Sequence, residues 1–259
     1  MICPKPSDPQ FTLSYTCLFW FNPRVRTAPK TLSQQPPCLK DTKDTVSAKT
    51  TVSSVSFALP RASDYPHPMP TLLLDARADL GESPRWSVRE ACLYWVDIAA
   101  QRLHRFDPAT GTNMTRQFDQ PIGCIAPRAG GGLVLGMRDG IATIDDWDAP
   151  LRPLGAPFLA DQPDYRCNDA ATDAHGNWWL GSVDEAKATH GAALYRIAPD
   201  GEVTRLFGGM TTCNGAAFSP DGRTFYHADT PTHAIRAFDH DPATGTLGSP
   251  RLFHQFDHG

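Results

Sequence analysis

The sequence has no run of 18 or more apolar residues, which excludes a hydrophobic membrane-spanning helix. Its seven cysteines are odd in number and include no C-x-x-C pair, so a structural zinc site and a dense disulfide framework are both disfavoured. Basic residues are not in excess: 24 Lys and Arg stand against 28 Asp and Glu, for a net charge of −4. We therefore expect no nucleic-acid partner and no membrane partner.

Glycine is absent from residues 1–68, whereas all 20 glycines of the 259-residue chain follow residue 80. The same segment holds ten prolines and eight each of Ser and Thr, a composition typical of disorder. We interpret 1–68 as a disordered extension and 69–259 as the folded domain. Because the segment that begins at Met69 resembles the start of a folded domain, we hypothesise that residues 1–68 come from a mis-assigned start codon. Polar residues interrupt the apolar stretch Phe11–Phe21, so a secretory signal is not favoured and we expect a cytoplasmic protein.

From residue 69 onward the pattern is that of an all-β chain, and no capped helical period of ten or more residues occurs. Aromatic and β-branched segments bounded by turn signals predict strands at 93–98, 103–107, 133–136, 141–144, 178–181, 194–197, 224–228 and 234–238. The turn sequence Asp-Pro-Ala-Thr-Gly of Asp107–Gly111 recurs at Asp241–Gly245.

The strand segments also repeat along the chain. Cys167–Trp178 parallels Cys213–Thr224 at an offset of 46 residues, and earlier, more degenerate copies begin near Gly123 and Ser83. A period in the forties with four short strands per unit predicts a β-propeller, and the rival two-sheet sandwich does not predict such self-similarity. About four blades fit into 69–259. Since a propeller normally closes its ring, we expect a piece of a longer gene product, the alternatives being an open ring or an oligomer.

Polar residues at corresponding repeat positions are the candidates for a site at one mouth of a propeller channel. They are Glu82, Arg166, Asn168 and Asn214. A carboxylate and amide oxygens that converge on an axis would suit a hard divalent ion. The alternative is that Glu and Asn before a strand form turns or bond to loop backbone.

Four ordered motifs resemble the gluconolactonase family, the senescence-marker-protein or regucalcin-like sugar lactonases. They are Gly81–Trp86, Leu93–Ile98, Arg166–Ala170 followed by Asp173–Ser182, and Asn214–Gly222. The resemblance covers 69–259. It implies a six-bladed propeller, one divalent metal ion (Ca²⁺, Zn²⁺, Mn²⁺ or Mg²⁺) at the channel mouth, and hydrolysis of a sugar lactone to the aldonic acid.

The resemblance also implies roles for individual residues. Glu82 and Asn214 match metal ligands of the family, and Arg166 and Asn168 match residues that bind the substrate. Glu185 matches a substrate-binding glutamate of some members, although the strict register falls on Ala186.

Two positions depart from the family pattern. Cys167 replaces a common Phe, so we expect a smaller wall beside the ligand. The catalytic aspartate, which the family carries in a Pro-Asp-Gly motif as metal ligand and general base, is expected beyond Gly259. We therefore assign no catalytic residue and expect little activity from these 259 residues alone. The alternative functions are a non-catalytic propeller that binds a divalent ion or a partner protein, and an esterase acting on other lactones.

Two aspartates, one histidine and the cysteines of residues 69–259 are expected to have structural roles. Asp97 and Asp229 lie at equivalent points of their repeats, which indicates a shared structural role. We expect His227 on the surface or on a blade face. The four cysteines of the domain are expected to be small buried thiols, namely Cys92, Cys124, Cys167 and Cys213.

Overall fold

The computed structural model describes residues 72–188 and 190–257. The predictions for 1–68 and for the segment after Gly259 lie outside these residues. Within the described residues, 77–188 and 190–257 belong to one compact unit. It contains 17 strands and one short 3₁₀ turn, Thr230–Thr232, and no α-helix occurs in the described ranges.

The strands form four antiparallel sheets, each a meander in chain order. Blade 1 comprises β1 (Gly81–Ser87), β2 (Cys92–Asp97), β3 (Arg102–Asp107) and β4 (Thr112–Gln117). Blade 2 comprises β5 (Ile122–Pro127), β6 (Leu133–Met137), β7 (Ile141–Ile144) and β8 (Arg152–Pro153). Blade 3 comprises β9 (Tyr165–Thr172), β10 (Trp178–Asp184), β11 (Ala192–Ile197) and β12 (Val203–Met210). Blade 4 comprises β13 (Cys213–Phe218), β14 (Thr224–Asp229), β15 (Ala234–Asp241), β16 (Thr246–Leu247) and β17 (Arg251–Gln255).

The first strand of each blade is the innermost one. Strand β1 packs beside β5, β5 beside β9, and β9 beside β13, so consecutive blades meet along these strands. At the other side of blade 4, both β16 and β17 pair with β15. This arrangement of four-stranded meanders confirms the predicted all-β, propeller-type fold.

Hydrophobic side chains fill the spaces between blades in three clusters. The largest fully buried side chain is Trp179 of blade 3, whose ring lies 5.4 Å from that of Phe218 and 5.2 Å from that of Phe225, both in blade 4. Burial of apolar side chains between sheets stabilises the packing of adjacent blades, with aliphatic residues between blades 1 and 2 and aromatic residues between blades 3 and 4. The four cysteines are buried and unpaired, which confirms their interpretation as small core thiols.

The repeated Asp-Pro-Ala-Thr-Gly sequences form the same turn. Gly111 and Gly245 adopt φ values of 71° and 69°, a left-handed conformation that glycine favours. In both turns the aspartate side chain, of Asp107 or Asp241, accepts a hydrogen bond from the backbone N–H two residues later, at 2.8 and 3.0 Å. The sequence repeat therefore reflects a real repeat of local structure at the β3–β4 and β15–β16 connections.

Candidate functional site

The four innermost strands each contain a pairing irregularity near their first residues. The ladder shifts after Glu82 in β1, around Gly123 in β5, at Asn168 and Asp169 in β9, and after Asn214 in β13. Glu82, Asn168 and Asn214 thus lie inside innermost strands, at bulges, rather than in turns before the strands, whereas Glu185 follows β10. Bulges redirect side chains and are common beside binding sites.

The three residues matched to substrate binding are in direct contact. Arg166 is 7% exposed, and its Nε donates to Glu185 Oε1 at 2.9 Å. Its Nη1 donates to Asn168 Oδ1 at 2.8 Å and to the carbonyl of Cys167 at 3.0 Å. A second arginine, Arg138, lies 3.2 Å from Glu185 Oε2. The guanidinium of Arg166 is therefore held in one orientation by its neighbours.

Asn168 connects blade 3 to blade 4. Its Nδ2 donates to the carbonyl oxygen of Cys213 at 2.9 Å, immediately before Asn214. The side-chain Nδ2 of Asn214 donates to Thr230 Oγ1 at 3.2 Å. In the described part of the chain, no group donates to Asn214 Oδ1, so that amide oxygen is available to a ligand.

The carboxyl group of Glu82 interacts electrostatically with charged residues of blade 3. Burial raises the pKa of its carboxyl group, the carboxylate of Asp169 raises it further, and the guanidinium of Arg166 opposes the shift. The backbone N–H of Ser83 also donates to the carboxylate and lowers the pKa. Glu82 therefore shares one electrostatic environment with the Arg166 cluster, although it makes no direct hydrogen bond to it.

Asp169 is a member of this environment that sequence reasoning missed. Its side chain is 15% exposed, accepts the backbone N–H of Ala216 at 3.1 Å, and lies 3.8 Å from the Nη2 of Arg85. Burial raises the pKa of Asp169, and Arg85 is the main opposing influence. The position of Asp169 directly after the predicted site residue Asn168 is the feature of the sequence that could have indicated it.

The expectation for Cys167 is wrong. Its side chain is fully buried in the cluster between blades 2 and 3, and Sγ lies 3.5 Å from the carbonyl oxygen of Gly140. Successive side chains of a strand point to opposite faces, so the residue between Arg166 and Asn168 points into the core. Cys167 therefore forms no wall beside a ligand.

Asp97 and Asp229 have the same structural role, as their recurrence predicted. Asp97 ends β2 and accepts the backbone N–H groups of Asp79 and Leu80, both at 3.0 Å. Asp229 ends β14, and its Oδ1 accepts those of Thr211 and Thr212, at 3.1 and 2.8 Å. Each aspartate thus fixes the chain segment that enters an innermost strand.

We expect Asp229→Ala to lower the free energy of unfolding by about 2–4 kcal/mol, because the buried N–H of Thr211 and that of Thr212 lose their acceptor. Urea unfolding followed by tryptophan fluorescence measures the change. Asp148→Ala removes an exposed carboxylate in blade 2 and should change stability by less than about 0.5 kcal/mol. A midpoint equal to that of the unmodified protein would refute the structural role of Asp229.

The donors available for a cation are oxygen atoms. Within residues 72–188 and 190–257, no group of three or more His, Cys, Asp or Glu side chains is arranged to hold a metal ion. The candidate pair, the Glu82 carboxylate and the Asn214 amide oxygen, is of the type that Ca²⁺ and Mg²⁺ prefer. The raised pKa of Glu82 beside Asp169 fits a place where a positive ion would offset two carboxylates.

None of the described segments forms a helix long and apolar enough to cross a membrane.

Comparisons with known proteins give matches in both sequence and fold. Residues 80–259 match the family model described as the SMP-30/Gluconolactonase/LRE-like region. A 6-deoxy-6-sulfogluconolactonase of Pseudomonas putida is 37% identical over 184 residues, which cover 70% of this chain and 61% of that protein. Regucalcin of Gallus gallus is 30% identical over 186 residues, covering 70% and 62%. The chain thus spans about 60% of the length of the curated relatives it matches.

Solved structures show the same fold. A calcium-binding regucalcin of Agrobacterium tumefaciens superposes with a TM-score of 0.65 at 26% identity, covering 68% of this chain and 59% of that one. A gluconolactonase of Xanthomonas campestris gives a TM-score of 0.56 at 25% identity, covering 68% and 63%.

Proposed function

The chain belongs to the SMP-30/gluconolactonase/LRE-like family, and we propose that it takes part in the hydrolysis of a sugar lactone to the aldonic acid. The observation that carries the proposal is the direct contact of Arg166 with Asn168 and Glu185, in the electrostatic environment of Glu82. Lactonase names among the relatives support the reaction class.

Arg166 and its two partners would bind the sugar. A guanidinium that is already oriented loses little freedom when it donates to substrate oxygens. Glu185 and Asn168 present acceptors beside it that suit sugar hydroxyl groups. In this assignment the three residues set the position of the lactone rather than transfer protons.

Glu82 and Asn214 would hold a divalent cation through the carboxylate and Oδ1. When bound, such an ion supplies positive charge that stabilises negative charge developing on the lactone carbonyl oxygen. We assign no general base among residues 72–188 and 190–257. Asp169 is held by the N–H of Ala216 and by Arg85, which favours a positioning role.

A non-catalytic cation-binding propeller is the second candidate. The similarity to a protein described as calcium-binding favours it, as does the available amide oxygen of Asn214 beside blade 3. The two candidates differ in sugar binding, because only the first requires the Arg166 cluster to bind a lactone or its aldonic acid.

We expect Arg166→Lys to weaken the binding of gluconate, the aldonic acid product, about tenfold, a result that does not require turnover. Lysine keeps the charge but cannot contact Glu185 and Asn168 with a planar fork. Titration calorimetry measures the dissociation constant, and proton release with and without chelator measures any lactone hydrolysis. Arg128→Lys, at an exposed ion pair with Asp145, is the matched control and should leave gluconate binding unchanged.

The same assay separates the candidates. Chelator-sensitive turnover supports the lactonase. Binding of gluconate that Arg166→Lys weakens supports it as well. Cation binding in a calorimeter without binding of gluconate supports the second candidate, and the absence of both rejects the two assignments together.

A further inference from the structure

A groove of about 750 Å³ lies between the outer parts of blades 3 and 4. Strand β12 forms one wall, and β14, β15 and the residues around β16 form the other. No residue assigned to the lactone site or to the cation lines this groove. Its volume is in the range of small-molecule pockets.

The pairing of β14 with β15 determines which side chains face the groove. His227 lies opposite Arg236, and Phe225 lies opposite Phe238, so these four side chains share one face of blade 4. The ring of Phe207 from blade 3 stacks on Phe238 at 5.2 Å and meets His227 edge-on at 6.1 Å. These packed rings close the inner end of the groove, and Phe225 is buried and does not line it.

The polar groups of the groove are mainly positive. Arg236 is exposed on its wall and has no ion-pair or hydrogen-bond partner in the described residues. Arg196 closes one end by donating to the carbonyl oxygen of Thr244 at 3.0 Å. The carboxylate that lines the groove, Asp229, already accepts two backbone N–H groups through Oδ1.

His227 adds an unsatisfied group. Its side chain is 3% exposed, and Nε2 has no hydrogen-bond partner in the described part of the chain. Burial lowers the pKa of His227 to about 4, so the ring is neutral at pH 7 and can donate or accept one hydrogen bond. The neutral ring therefore adds no charge to the groove.

We propose that this groove binds a small organic anion with an apolar body, of the class of aromatic carboxylates. The apolar side chains of the lining, among them Leu206, Phe207 and Leu247, would contact the ring of such a molecule, and the guanidinium of Arg236 would bind its carboxylate. The proposal is independent of lactone hydrolysis, because the groove shares no residue with the Arg166 cluster.

The probe is 2-naphthoate, titrated into the full chain and followed by calorimetry. Arg236→Gln should weaken binding about tenfold, and Arg236→Lys should weaken it less, because a charged hydrogen bond is lost in the first and retained in part in the second. Arg223→Gln removes the same charge from an exposed site of blade 4 outside the groove and should have no effect. The neutral isostere 2-naphthamide should bind about tenfold more weakly than the acid.

A steric variant gives a second measurement. Thr232 is exposed and lines the groove, so Thr232→Trp should place a ring in it and weaken binding without disturbing the core. Thermal unfolding of each variant confirms that it is folded. Equal binding of the acid and the amide, full affinity in Arg236→Gln, or no saturable binding up to about 1 mM would each overturn the proposal.

Discussion

Glu82→Gln is expected to lower the affinity for Ca²⁺ by about 100-fold or more, measured by titration calorimetry on the full chain. Glutamine keeps the size of the side chain and one oxygen donor, so the variant removes mainly the negative charge. Charge is the main determinant of affinity in an oxygen-ligand site of this kind. The loss should be larger than for a surface carboxylate, because Glu82 is half-buried and near Asp169.

Without the metal, Glu82→Gln should not lower the free energy of unfolding. Since the pKa of Glu82 is raised in the folded protein, its ionised form opposes folding at pH 7, above the ordinary pKa of a glutamate. Replacing it with a neutral residue should leave the metal-free protein at least as stable as before. A variant that loses both metal affinity and stability would indicate a damaged fold instead of a lost ligand.

Glu202→Gln is the matched control for this prediction. Glu202 is an exposed glutamate in blade 3, before β12, and its replacement removes the same charge from the chain. Ca²⁺ affinity should be unchanged in this control. If the two variants lose affinity equally, the effect comes from net charge, and the assignment of Glu82 as a ligand is wrong.

The middle strands of the blades were predictable from sequence, whereas the edges were not. Segment 93–98 became β2 (Cys92–Asp97) and 103–107 became β3, because these strands are buried and therefore alternate or run apolar. Strand β4 has the sequence Thr-Asn-Met-Thr-Arg-Gln and is exposed, so it has no apolar period to detect. Strand β13 begins Cys-Asn-Gly and contains a bulge, so its sequence pattern is that of a turn and not of a strand.

The sequence motifs predicted which residues belong to the candidate site, but only part of the contacts between them. The grouping of Arg166 with Asn168 follows from their spacing of two along one strand, which places both side chains on the same face. The contact with Glu185 depends on the residues that follow β10, and no local rule gives their path. The link from Arg85 in blade 1 to Asp169 in blade 3 is a contact between distant repeats, beyond the reach of pattern reasoning.

Strands of neighbouring blades approach each other too closely for side chains at some positions near the innermost strands, and glycine is required there for steric reasons. A methyl group on Gly123 of β5 would overlap the backbone carbonyl of Cys167 in β9, and one on Gly181 of β10 would overlap the side chain of Cys213 in β13. Neither glycine has a positive φ, so the requirement is one of space and not of backbone conformation. These contacts lie next to the bulge that holds Asn168.

Gly123→Ala is therefore expected to lower the free energy of unfolding by about 3 kcal/mol or more, and to leave little folded protein at 37 °C. The added methyl group meets backbone atoms, which cannot rotate away, so β5 and β9 must separate and the aligned residues of β9 must shift with them. Urea unfolding measures the loss, and reduced Ca²⁺ affinity should accompany it. Gly130→Ala is the control, because a methyl group there meets no atom within 4 Å and the residue has no positive φ. If Gly123→Ala unfolds at the same urea concentration as Gly130→Ala, blades 2 and 3 are not held together by close contact of their innermost strands.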